Sequence, residues 1–166
     1  MELQLLTPEL WLKERKRLLG FAVRFGEKRL TVAAVHALRL LEPSLLAEMN
    51  EAGAPEAVIA VAKLNGRIAG IGFASGGGER GSFFVVHPDA RRLGIGSALV
   101  RAMIDKLSSF TCNVAIDNVA SMRLCFQLGL TAVSLHTGPT GKPTLRFERR
   151  INDDAASTRN IDALSK

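Results

Sequence analysis

The sequence predicts an α/β (α+β) domain, built on a mixed, mostly antiparallel sheet of about seven strands flanked by helices. Three observations carry that prediction. Two apolar runs, Ala57 to Leu64 and Arg67 to Ala74, are joined by Asn65-Gly66, a pair that accepts the positive φ angles of a type I′ turn and so marks a hairpin. The run Phe83-Phe84-Val85-Val86 suits a buried strand, is stopped by Pro88, and leads to Gly94-Ile95-Gly96 at the head of a helical pattern. Beyond it, strand-like and helix-like segments alternate as far as Arg150.

Taken in order, Glu2 to Leu6 reads as a short strand, and Thr7-Pro8-Glu9 as a helix start with Thr7 as cap and Pro8 at the first helical position. Trp11, Leu12, Leu18 and Leu19 supply its apolar positions. Lys13, Arg15, Lys16 and Arg17 form a basic run, which reads as a solvated helix face; the sharper alternative is an anionic macromolecular partner. Gly20 to Lys28 is expected to be a connection, broken at Gly26. Ala34, Val35, Leu38 and Leu41 recur at helical steps, so a helix is expected from about Arg29 to Leu41, with Glu42-Pro43-Ser44 interrupting it and a short helix over Ser44 to Ala52.

After the hairpin, Gly76-Gly77-Gly78-Glu79-Arg80-Gly81 is a loose turn into a strand from Ser82 to His87, giving three consecutive antiparallel strands. Ile95, Leu99 and Met103 share a face of a helix running from Gly94 to about Leu107. Cys112, Val114 and Ile116 alternate in a strand from Thr111 to Asp117, and a helix from Val119 to Gln127 follows, capped by Asn118 and closed by Gly129. Thr131 to His136 and Pro143 to Arg150 read as the last two strands. The domain thus spans 1–151, and 152–166 is a polar tail with room for one short helix at Ile161 and Leu164.

The bulk numbers set bounds. At 166 residues the chain is one domain, long enough to bury about 70% of its unfolded surface. With 47% hydrophobic and 23% charged residues it is globular rather than disordered. No apolar run nears the ~20 residues of a membrane span, and Met1-Glu2-Leu3-Gln4 lacks the positive start of a secretory signal, so the expectation is a cytoplasmic protein with no membrane partner. Cys112 and Cys125 have no metal-ligand spacing; both are expected to be reduced thiols, and no metal is expected. The net charge of +6 draws anions, and a phosphate-bearing ligand and a nucleic acid are both anions.

The strand, turn and helix around residues 83–100 carry the functional signal. A helix start offers unpaired N–H groups and a partial positive charge, Gly94 and Gly96 let the backbone approach a ligand, and Arg91 and Arg92 add two full charges. That combination suits a phosphate or pyrophosphate. A plain Gly-rich turn with two solvated arginines is the bland alternative. A dinucleotide fingerprint is excluded, because Leu99 stands where its third small residue belongs, and a Walker loop is excluded because no Gly-Lys-Ser/Thr follows.

Val86-x-Pro88-x-x-Arg91-x-x-Gly94-x-Gly96 resembles the acetyl-CoA signature of the GCN5-related N-acetyltransferase (GNAT) family. Downstream and in the right order, Asn118-Val119-Ala120-Ser121-Met122-Arg123-Leu124-Cys125-Phe126-Gln127-Leu128-Gly129-Leu130 is similar to that family's Asn-x-x-Ala-x-x-Leu-Tyr-x-x-x-Gly-Phe segment. The likeness covers roughly residues 55–150. It implies acetyl-CoA as cosubstrate, and direct attack of a primary amine, on a small molecule or a peptide, upon the thioester. The pantetheine arm would lie along Phe84, Val85 and Val86, one of whose N–H groups would hold the oxyanion. Arg91, Arg92, Leu93, Gly94, Ile95 and Gly96 would grip the pyrophosphate, Ser97 adding its hydroxyl. Asn118 would bond the pantetheine arm, with Ser121 also on the coenzyme side, and the helices after the first strand would wall the acceptor pocket. A homodimer through the last strands is compatible with the family.

Catalytic groups are where the chain departs from the pattern. Family members often carry a tyrosine acid at the place of Cys125, and this chain contains no tyrosine. A thiol with an ordinary pKa near 8.5 suits protonation of a leaving thiolate, so Cys125 is the candidate acid, against the alternative of a small packed residue. His87 and Glu79 are the candidate bases, beside water-relayed deprotonation; His36 faces either the pocket or water. The expected activity is that of an acetyl-CoA-dependent N-acetyltransferase. The alternatives are a CoA or acyl-CoA-binding regulatory module without turnover, and an acetyltransferase that associates with nucleic acid.

Overall fold

The computed structural model describes residues 1–26 and 29–149. The polar tail at 152–166 and Arg150, expected to end the last strand, lie outside the described residues. Strands β1 (Glu2–Leu5), β2 (Ala57–Leu64), β3 (Arg67–Ser75) and β4 (Gly81–Val86) form an antiparallel sheet in that order. Asn65 and Gly66 take φ of 49° and 74° and close the expected hairpin. Strands β5 (Thr111–Ala115), β6 (Thr131–Thr137) and β7 (Pro143–Glu148) form a second antiparallel sheet, ordered β5-β7-β6. The seven strands are therefore split between β4 and β5, whereas a single sheet was expected.

Helices cover both faces. On one, Trp11, Leu18 and Phe21 of α1 (Pro8–Phe25) and Leu38 of α2 (Val32–Arg39) pack with Ile59, Val61, Ile71 and Phe73. On the other, Ile95, Leu99 and Met103 of α3 (Ile95–Lys106) and Cys125 of α4 (Val119–Gln127) join Ala60, Ala62 and Phe147. Burial on both faces explains why β2 reads as a continuous apolar run. Ala57, Ile59 and Val61 face α1, and Val58, Ala60 and Ala62 face α3. Glycine continues that small-residue face in β3: a Cβ on Gly70 would sit 2.9 Å from Ile95 and Leu99, and one on Gly72 would sit 3.2 Å from Met103.

Several element bounds move, each for a physical reason. Helix α1 runs through Gly20, which was expected to open a connection; about 1 kcal/mol of glycine cost is outweighed by burying Phe21 and Ala22 in the next turn. Gly26 does end it, as the residue following Phe25. Helix α2 begins later than Arg29 because Thr31 caps it, its hydroxyl accepting from the Ala34 amide at 3.1 Å. The helix expected over Ser44 to Ala52 is a 3₁₀ turn at Pro43–Leu46, since Asn50 turns the chain back by accepting from the Ala52 and Ala54 amides, both at 3.0 Å. β5 stops at Ala115, two residues before Asp117. The basic run is partly tied down: Arg15 lies over Trp11 at 5.7 Å and donates to the Arg39 carbonyl, and Arg17 pairs with Glu14 at 3.6 Å. Among the described residues no helix is long and apolar enough to cross a membrane.

A 3₁₀ turn at Gly76–Gly78 sets the root of the split. Gly78 has φ of 98°, and a Cβ there would fall 1.9 Å from the Thr111 carbonyl oxygen at the start of β5. That same oxygen accepts from the Ser82 hydroxyl of β4 at 3.2 Å. Gly78→Ala should therefore cost about 3 kcal/mol from left-handed strain and backbone collision together, read as a drop in the urea midpoint at unchanged slope. Gly53→Ala, also at positive φ but with open space around it, should cost about 1 kcal/mol.

Candidate active site

A cavity of about 450 Å³ lies between β4 and β5. Ser82, Phe83 and Phe84 line it from β4, and Cys112 to Ala115 from β5. Val100, Met103, Ser121 and Cys125 of α3 and α4 close it on one side of the sheet. From the opposite side it is lined by Arg29, Leu30, Thr31 and Ala34 around the start of α2, with Thr140 and Lys142 from the β6–β7 turn. The space therefore connects the two faces of the fold.

Strand alternation decides which amides reach this space. The His87 amide donates to the Ala69 carbonyl at 2.8 Å, which makes that pair hydrogen-bonded in the β3–β4 register. Val85 and Phe83, two and four residues back, then turn their N–H and C=O groups toward β3 as well. Phe84 and Val86 turn theirs the other way, to the open edge. Of the three residues expected along the pantetheine arm, two present their backbone to the gap, and Val85 does not.

The turn expected to hold phosphate starts from the end of β4. A 3₁₀ turn at Pro88–Ala90 is capped by His87, whose Nδ1 accepts from the Asp89 amide at 3.2 Å. Arg92 takes φ of 63° and Gly94 φ of 77°, which swing the chain into α3. Ala98 is the first residue whose amide bonds back to Gly94, at 3.0 Å, so the Ile95, Gly96 and Ser97 amides have no intrahelical acceptor. Arg91, Arg92, Leu93 and Gly94 are exposed beside them. The two glycines serve different needs: Gly94 has open space and needs its φ, whereas a Cβ on Gly96 would meet Leu124 at 3.2 Å and the Phe84 ring at 3.3 Å. Gly96 thus lets the helix start sit directly on β4 and α4.

Asn118 accepts from the Ser121 amide at 3.4 Å, capping α4, and also lines the cavity. Cys125 lines it too, buried, with its Sγ 3.8 Å from that of Cys112; both thiols are free. The hydrogen bond between them, and then burial, push the Cys112 thiol up, while the same bond holds Cys125 down. The sequence alone gave no sign that these cysteines, 13 residues apart, touch.

The candidate bases are outside the cavity lining. The His87 ring packs at a tilt of 55° against Phe25, 4.4 Å between ring centres. Glu79 pairs with Arg146, which also donates from Nε to Glu148 at 2.9 Å. His36 is exposed on α2. Among the described residues no cluster of three metal-ligating side chains occurs. The lining residues that sequence reading missed include Arg29, Thr31, Asn113, Thr140 and Lys142. They come from three separate loops and strands, and no local spacing links them.

A split sheet with an open strand edge, set beside a helix start with free amides and two arginines, is the architecture of an acyl-coenzyme A transferase. The model of the acetyltransferase (GNAT) family matches residues 35–130, and the chain belongs to that family. Solved structures agree on the fold. A GNAT-family acetyltransferase from Streptococcus pneumoniae superposes with a TM-score of 0.66 at 18% identity, covering 89% of this chain and 98% of that one. The YncA acetyltransferase from Salmonella typhimurium, solved with acetyl-CoA, gives 0.63 at 16% identity over 90% and 93%. A ribosomal-protein-alanine N-acetyltransferase from Brucella melitensis gives 0.60 at 18% over 91% and 100%. No curated protein matches by sequence.

The Glu79 pair has a pH consequence. The hydrogen bond from Arg146 holds the Glu79 carboxyl below its ordinary range. A depressed folded value means that the stabilisation is present above the unfolded pKa and is lost as pH falls through the folded one. Glu79→Gln should therefore lower stability by a few tenths of a kcal/mol at pH 7, and the gap to wild type should close as pH drops below about 4, measured by thermal unfolding.

Proposed function

We propose that this chain transfers an acetyl group from acetyl-CoA to a primary amine by direct attack of the amine on the thioester. The observation that carries the reading is the unpaired edge of β4 at Phe84 and Val86, followed in the chain by the start of α3, whose first amides have no intrahelical acceptor. These donors fit an elongated ligand with a phosphate-rich end and an amide-rich arm. The Ile95, Gly96 and Ser97 amides, with Arg91 and Arg92, hold the pyrophosphate. The backbone of Phe84 and Val86 aligns the arm as an added strand would, helped by Asn118 and Ser121.

Bound acetyl-CoA supplies an acyl group already activated as a thioester. The residues then act chiefly by position. An amide of Phe84 or Val86 stabilises the negative charge that develops on the carbonyl oxygen. The wall at Arg29, Thr31 and Lys142 guides the amine in from the side opposite the coenzyme. A C–N bond forms, the C–S bond breaks, the amine proton passes to water, and the thiolate gains a proton. Cys125, with Cys112 behind it, is the proton source beside the leaving sulfur. His87 and Glu79 do not line the cavity, so water is the carrier of the amine proton.

Among the described residues no base lines the cavity, which favours one rival, a CoA-binding module without turnover. Free CoA released from acetyl-CoA over an amine panel separates the two, since the module would release none. The coenzyme site is tested by Ser97→Glu. Ser97 is the third residue of α3, where a carboxylate is favourable to the helix, so the melting temperature should hold or rise. The same carboxylate repels a pyrophosphate, and acetyl-CoA affinity should fall at least about tenfold by calorimetry. Unchanged affinity would place the coenzyme elsewhere.

A further inference from the structure

The charge on the acceptor side of the cavity narrows the substrate class. Among the described lining residues only Arg29 and Lys142 are charged, and no carboxylate or imidazole joins them. Both hold Asp117, which lies at the rim outside the lining: Lys142 Nζ is 2.6 Å from Oδ2, and Arg29 Nη1 is 3.2 Å from Oδ1. The bonds from Lys142 and then Arg29 keep the Asp117 carboxyl below its ordinary range, so at neutral pH the three groups carry two positive charges and one negative. A guanidinium offers five N–H donors and an ammonium three. One bond each to Asp117 leaves donors on both for a further anion. Thr31, Asn113 and Thr140 complete this end with neutral polar groups.

We propose that the acceptor is an amine that also carries an anionic group, a carboxylate or a phosphate, seated on Arg29 and Lys142 while the amine reaches the gap beside β4. This rests on the acetyltransferase reading above. A polycationic acceptor would meet repulsion from the same two residues.

Matched probes test this: leucine against leucinamide for a carboxylate, and O-phosphoethanolamine against ethanolamine for a phosphate. Release of free CoA from acetyl-CoA is measured at low salt, and binding of each probe to the CoA-loaded protein is measured by calorimetry. In at least one pair the anionic member should be preferred by roughly tenfold in kcat/KM or in affinity, and the pair that discriminates identifies the anion. Lys142→Met and Arg29→Gln should each reduce that preference severalfold; the ratio within one variant removes any effect on folding. Equal response of both members in both pairs, silence included, or a preference unchanged in both variants, overturns the inference. Failure of the parent reading looks different: binding still favours the anionic member, yet no amine releases CoA.

Discussion

The unpaired edge of β4 is the constraint on which the rest of the structure depends. A strand edge inside a domain exposes N–H and C=O groups that cost free energy unless something bonds them. Here β5 starts against β4, fixed by the Ser82 hydroxyl on the Thr111 carbonyl, and then pairs with β7 instead. The groups of Phe84 and Val86 are left without a strand partner. A sheet completed by β5 would be more regular and would have nowhere to hold an extended arm.

The glycines keep this arrangement close-fitting. Gly78 lets the turn before β4 touch β5 at the root of the split, and Gly96 lets α3 begin against the Phe84 ring. Gly70 and Gly72 allow α3 to lie close on β3. In the proposed mode, the pyrophosphate end lies at residues 91–97, which follow the β4 edge through the Pro88–Ala90 turn.

The two sides of the cavity differ in chemistry, and that difference suits a two-substrate reaction. The α3 and α4 side is apolar apart from Ser121, Asn118 and the thiol pair. The α2 side carries the charge. In the proposed reaction the two meet beside Phe84, where preorganised amides would act on the developing oxyanion.

Much of this was legible in the sequence, because local rules govern it. Asn65-Gly66 set the hairpin, the four-residue repeat of Ile95, Leu99 and Met103 set α3, and Gly94 with Gly96 marked the anion turn, since φ and close approach are properties of single positions. The boundaries that moved did so where tertiary burial overrode a local preference, as at Gly20 in α1. Three things belonged to the tertiary structure alone. The split between β4 and β5 depends on a choice of partner strand, which alternation cannot encode. The contact of Cys112 with Cys125 depends on how α4 lies over β5. The pairing of Arg29 and Lys142 on Asp117 joins three loops distant in sequence. Local physics fixed the elements and the phosphate turn; long-range packing decided which edge stayed open and which charges face it.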